Sequence, residues 1–222
     1  MNSSELLQLF RNEVRDIVQP YLWSDLEIFS YIDDAQSMLC RLSGGIADVL
    51  DAPFDAEDEF LPLSPKILKL RSAVLRSNNR DLEILNIEDM NTRFAQDDYG
   101  NRGRYKIDDV PGPVHALVVG MKAYHARFIQ VPQESDEVRL TVYRAPMESI
   151  DEPMQDLEVD EKHHRHLLLW MKHLAHMKQD AETYDRGRSE QSGVDFRVYC
   201  DQVKREREMT EHKYRTVAYG GY

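Results

Sequence analysis

Tyr21-Leu-Trp-Ser-Asp-Leu-Glu-Ile-Phe-Ser-Tyr-Ile-Asp-Asp-Ala-Gln36 holds a complete helix-start signature. Ser24 and Glu27 have the Ser-x-x-Glu spacing of a capping box. Trp23 and Ile28 stand where a hydrophobic staple clamps the entering chain. The helix should begin at Asp25. Leu26, Phe29, Ile32, Ala35 or Gln36, and Leu39 then follow helical spacing, which leaves Asp33, Asp34 and Arg41 largely off the apolar face. Gly44-Gly45 offers a stop. Trp23, Ser24, Glu27 and Ile28 are therefore the candidate structural cap, and by themselves they predict a buried helix and nothing more.

Working outward, residues 4–19 predict a first helix, with Leu6, Leu7, Phe10, Val14, Ile17 and Val18 on one face and Pro20 closing it. With the helix at 25–42 it makes an antiparallel pair. Residues 51–59 carry five acids and no base, with Pro53 inside, and read as a solvated loop. Strands are expected within 61–85, folded back at Ser77-Asn-Asn-Arg80 as a hairpin, and within 114–143 as a three-strand meander. In the last of these, Val138, Leu140 and Val142 share one side and Arg139, Thr141 and Tyr143 the other. A short helix at 87–94 and a polar, glycine-containing loop at 95–109 lie between the two strand groups.

Residues 148–161 contain seven acids and no base and read as an extended linker into a long helix at 160–184. Gly187 and Gly193 read as a break before a final helix at 194–213, which is almost wholly charged from Lys204 onward. Beyond it, Tyr214-Arg-Thr-Val-Ala-Tyr-Gly-Gly-Tyr222 is too aromatic for a plain solubilising tail. The expected fold is thus mainly α with a smaller β part (α+β). A helical-bundle body with a β-hairpin and meander would occupy residues 1–203, and a protruding helix end with an extended C-terminal arm would occupy 204–222.

The 222 residues are enough to bury a sizeable core, yet 41% are hydrophobic and 31% charged, with a mean hydropathy of -0.60. No run approaches the roughly 18 apolar residues of a membrane span, and the first residues lack the basic start and apolar stretch of a signal peptide. No membrane partner and synthesis in a cytoplasm are expected. The net charge of -12 argues against a DNA-gripping surface, because duplex affinity comes chiefly from neutralising phosphates with Lys and Arg. Cys40 and Cys200 lie far apart in sequence without metal-finger spacing, so buried free thiols are expected over a disulfide.

The histidines are the obvious catalytic candidates. His163, His164 and His166 cluster at the start of the long helix, while His173, His176 and Asp180 follow one another at about one turn. Metal helices of the HExxH kind place their histidines four apart with a glutamate between, and here the spacing is three with Leu174 and Ala175 between. Solvated or inter-subunit histidines are the default, and the early cluster suggests a pH-sensitive helix start. Asp33-Asp34, Asp97-Asp98 and Asp108-Asp109 supply paired carboxylates of the kind a glycosidase uses, but their separation in space decides that chemistry. No nucleophile elbow, P-loop or dinucleotide signature occurs, and Gly100-Asn-Arg-Gly103 is loop-like. The expected catalytic, cofactor and metal residues are none.

The wording of residues 21–36 resembles the Trp/Leu-Ser/Thr-Asp-x-Glu-Leu…Ile-Asn/Asp-Asp/Glu-Ala-Gln helix of tailed-phage head-to-tail adaptor proteins, also called connector or head-completion proteins. Phe128-Ile-Gln-Val-Pro-Gln-Glu-Ser-Asp-Glu-Val-Arg-Leu-Thr-Val-Tyr-Arg-Ala-Pro146 looks like the family's strand-turn-strand passage. Leu167-Leu-Leu-Trp-Met-Lys-His-Leu-Ala-His-Met-Lys-Gln-Asp-Ala-Glu-Thr-Tyr-Asp185 looks like its long helix. Order and spacing agree across roughly residues 20 to 210. The resemblance implies a structural virion protein without enzymatic activity, at the head-tail junction. It would form a homo-oligomeric ring, a dodecamer, that binds the portal protein and extends the channel through which genomic DNA passes. Its lower face would offer the tail or nozzle protein an attachment surface. A C-terminal arm docking on the portal would then use Tyr214, Val217, Tyr219 and Tyr222. The alternatives are another neck or tail-completion (stopper) protein and, in the enzyme class, a cell-wall-degrading virion hydrolase.

Overall fold

The computed structural model describes residues 1–88, 107, 109–180 and 183–211. They divide into two compact units, one formed by Met1–Gly45 with Glu148–Tyr222 and one by Ile46–Met147. Where the sequence suggested one body over 1–203, the strands are gathered into a unit of their own.

The first unit is helical. Its four helices are α1 (Ser3–Val14), α2 (Asp25–Ser43), α3 (His164–Met177) and α4 (Arg186–Glu211). Asn2 caps α1 and Ser24 caps α2, each in a full capping box closed by a glutamate three residues on. Gly44 ends α2 with φ 102°, a left-handed conformation that costs a glycine nothing. The buried face of α2 runs Ile28, Phe29, Ile32, Ala35, Gln36, Leu39, Cys40 and Ser43, but Leu26 is 72% exposed. Leu6 and Phe10 of α1 pack into the same core as Leu167, Leu168 and Met171 of α3 and Phe196 and Cys200 of α4, all buried.

Three helix boundaries differ from the spacing-based expectation. α1 stops at Val14, with Arg15 in the left-handed region (φ 62°), so Ile17 and Val18 never join its apolar face. α3 stops at Met177, where Lys178 N–H turns back to Ala175 O (3.4 Å) and the His176 carbonyl, which would extend the helix, accepts instead from Asp185 N–H (3.1 Å). α4 begins at Arg186 and runs unbroken through Gly187 and Gly193. A Cβ on Gly193 would lie 3.0 Å from the His173 ring, so this glycine lets two helices approach and does not end one. The acidic passage after residue 148 is tied down: Ser3 N–H donates to Gln155 O (2.8 Å), and Glu158 N–H to the Gln36 side chain (3.0 Å).

The second unit is a seven-stranded sheet ordered β1-β9-β3-β4-β6-β7-β2. Its members are β1 (Ile46–Phe54), β2 (Phe60–Pro62), β3 (Ile67–Leu75), β4 (Arg80–Asn86), β6 (Ala116–Lys122), β7 (His125–Phe128) and β9 (Asp136–Arg144); β5 (Pro111–Gly112) and β8 (Val131–Pro132) pair separately. Neighbours are antiparallel except β4 and β6. The two edge strands approach each other, so the sheet curls nearly into a barrel around Phe54, Leu61, Leu117, Phe128, Leu140 and Val142.

This corrects the expected mainly α fold with a helical-bundle body and a smaller β part. The β structure is a whole unit, and it begins at Ile46 instead of Leu61. The supposed meander is also rearranged, because β9 lies between β1 and β3 and not beside β7. Of the acids read as a solvated loop, Asp51 is a strand residue with partners, Arg76 and Arg139; earlier on the same strand Asp48 meets Arg144. The expected short helix at 87–94 and the loop at 95–109 fall almost entirely outside the described residues. None of the described helices is long and apolar enough to cross a membrane.

Candidate functional site

The helical unit is knotted together where α1 hands over to α2. Glu27 N–H donates to Ser24 Oγ (3.3 Å), and the Glu27 carboxylate accepts from Ser24 N–H (2.8 Å). Its other oxygen lies 2.7 Å from Lys178 Nζ, just past α3. That lysine holds the Glu27 carboxyl below its usual range, and Glu27 in turn raises the Lys178 ammonium. Trp23 is buried, sets its ring edge against Phe10 and His176, and donates Nε1–H to the Ala175 carbonyl at 3.3 Å. Ile28 is fully buried. The cap residues thus bind three helices at one point.

Beneath them runs a network that spacing does not announce. The Arg11 guanidinium donates to Asp16 (2.6 Å), to the Trp23 carbonyl (3.0 Å) and to Asp25, and lies 3.8 Å over the Tyr21 ring. Asp16 accepts a further bond from Leu22 N–H at 2.9 Å. A charged residue on the inner face of α1 makes sense only once Asp16 has folded back to meet it. Sequence periodicity offers no signal for that.

The histidines are employed in packing. His163 Nδ1 lies 2.7 Å from the Tyr199 hydroxyl, while His166 stacks on the Tyr199 ring with centroids 3.6 Å apart. Burial, followed by Lys162, pulls the His163 pKa down. His173 Nδ1 lies 3.0 Å from both the carbonyl and the hydroxyl of Ser189, and His176 Nδ1 lies 3.4 Å from Thr183 O. Since α3 ends at Met177, Asp180 is not on the helical face of His173 and His176. Among the described residues no three His, Cys, Asp or Glu side chains converge as metal ligands. Asp33 and Asp34 are likewise occupied, by Ile150 N–H (3.3 Å) and Trp170 Nε1–H (2.7 Å).

Helices stapled by a capped Trp23 entry, one of them long and charged at its end, accompanied by an inserted sheet, can support and connect. A profile described as SU10 adaptor protein matches residues 1–210. The chain belongs to that family of phage head-to-tail adaptors. No curated protein matches the chain significantly. As an adaptor it is a structural component of the virion, at the junction of head and tail. The match spans the cap, the Arg11 network, the whole inserted sheet and nearly all of α4. The residues expected to form a docking arm, Tyr214, Val217, Tyr219 and Tyr222, like Asp97-Asp98 and Gly100-Asn-Arg-Gly103, lie outside the described residues.

Proposed function

We propose that this adaptor assembles as a twelve-membered ring on the portal, extends the DNA channel, and offers its lower face to the tail or nozzle. The observation that carries the reading is the family match over residues 1–210, which takes in both structural units. The reading assigns a purely structural role, with no catalytic residue, cofactor or metal. With a net charge of -12, the ring lets genomic DNA slide past without gripping it. The arm at residues 214–222 docks on the portal through Tyr214, Val217, Tyr219 and Tyr222, large side chains that order at little entropic cost.

Electron microscopy of the purified protein mixed with the portal tests the ring, which should appear as an added annulus below it; a protein that leaves the portal unchanged refutes the proposal. Deleting residues 214–222 tests the arm. The truncated chain should melt like the full chain yet fail to join the portal, giving heads that leak DNA. A truncated chain that still seals portal-bearing heads removes the arm from the mechanism.

A further inference from the structure

The two ends of α1 carry opposite surfaces. At its C-terminal end, Arg15, Lys172, His176 and Arg188 line an open cavity of about 590 Å³ in which Glu13 is the lone carboxylate. Lys172 pairs with Glu13 at 2.7 Å and Arg188 with Asp185 at 3.3 Å, while Arg15 has no ion pair among the described residues. Two residues past Arg15 the α1–α2 link exposes Ile17 (65%) and Val18 (74%), and the first turn of α2 exposes Leu26 (72%). These side chains leave apolar surface at this end of α1 for another molecule to cover. The buried Arg11–Asp16 pair and the Leu22–Asp16 bond hold the link in one shape, so little ordering is needed when it is covered.

At the N-terminal end of α1, roughly 18 Å away for a 12-residue helix, lies a turn of the reverse character. Asp151, Glu152 and Asp156 are exposed there, and none has a cationic partner among the described residues. Met154 stands at the apex, 74% exposed with φ 64°. The turn is also preformed: Ser3 Oγ–H donates to Glu152 O (3.0 Å), and Met154 N–H to Ser4 Oγ (3.0 Å). One compact unit therefore presents a basic cavity with exposed apolar residues close by in the chain at one end, and an acidic turn with an apolar tip at the other.

We propose that neighbouring copies of this chain join head to tail through these ends, the Asp151/Glu152/Met154 turn of one copy seating against the Arg15/Arg188 cavity and the exposed Ile17, Val18 and Leu26 of the next. This rests on the ring reading and gives it a contact. Charge complementarity selects a second copy as the occupant. A head-to-tail contact between unlike ends is heterologous and, where its rotation closes, repeats around an axis as a ring.

The test uses full-length protein, alone and with the portal ring, read by native mass spectrometry, with circular dichroism melts as the control for folding. Arg15→Glu/Arg188→Glu and, separately, Asp151→Lys/Glu152→Lys should each weaken ring formation at least tenfold while melting normally. An equimolar mixture of the two variants should restore a ring of alternating copies, because each then meets an opposite charge on both sides. Variants that assemble like wild type overturn this contact and leave the ring reading standing. A mixture that fails to assemble also overturns it, and shows that the two ends face some other molecule. A wild-type chain that forms no ring even with the portal removes the ring reading itself.

Discussion

Arg11 and Asp16 meet at 2.6 Å inside the helical unit, with only 8% and 2% of their side chains exposed. This pair turns the chain away from α1 one residue after Arg15 and thereby puts Ile17 and Val18 into solvent. Removing one partner of a buried pair strands the other charge, so Asp16→Ala should cost about 3–5 kcal/mol in urea unfolding. Asp25→Ala, which removes the exposed partner of Arg11 (62%), should cost under about 1 kcal/mol.

The cap at the head of α2 is worth less than the indole beside it. Ser24→Ala should destabilise by about 1 kcal/mol. Trp23→Ala should cost about 3–5 kcal/mol, since the side chain is 2% exposed and its loss opens a cavity between three helices. Equal midpoints for Trp23→Ala and wild type in denaturant would contradict this packing.

Stability should fall on mild acidification. The folded-state pKa of His163 is lowered by burial, so unfolded chain takes up the proton first. The native state is at full strength above about pH 6.5 and weakens as pH drops through that value toward the lower folded one. His163→Gln should flatten the curve below about pH 6.5. The carboxyls of Asp48 and Glu27, held low by Arg144 and Lys178, act in a separate, more acidic window: their contribution is present above their ordinary values of 3.8 and 4.5 and is lost as pH falls from there through the lower folded ones.

Gly193→Ala tests the close approach of α3 and α4. A helix ordinarily gains about 1 kcal/mol from this exchange, but here the methyl would press on the His173 ring at 3.0 Å, and overpacking of that kind costs about 1–3 kcal/mol. The variant should be no more stable than wild type. In a His173→Ala background the same substitution should become stabilising, a non-additivity readable from a double-mutant cycle.

Cys40 and Cys200 are free and buried, and burial pushes the Cys200 thiol up to about 12. A thiol reagent at pH 8 should label neither residue at an appreciable rate in the folded protein and both in denaturant. Rapid labelling of the native chain would show that α2 and α4 separate readily.

Features that depend on near neighbours could be read from the order of residues alone. The capping box that opens α2 was legible because Ser24 and Glu27 act within one turn of each other, and the hairpin of β3 and β4 because its turn residues adjoin both strands. The alternation of Val138, Leu140 and Val142 likewise marked the buried side of β9. Tertiary structure alone decided where remote partners overrule local propensity. Asp51 looked like loop until Arg139, 88 residues later, met it across the sheet, and β1 was missed with it. Gly193 looked like a break until His173 filled the space a side chain would need. Ile17 and Val18 looked like core until Asp16 folded inward to Arg11. In each case the deciding interaction exists only after the chain has closed on itself, because its energy comes from burial and pairing between residues that no local spacing relates.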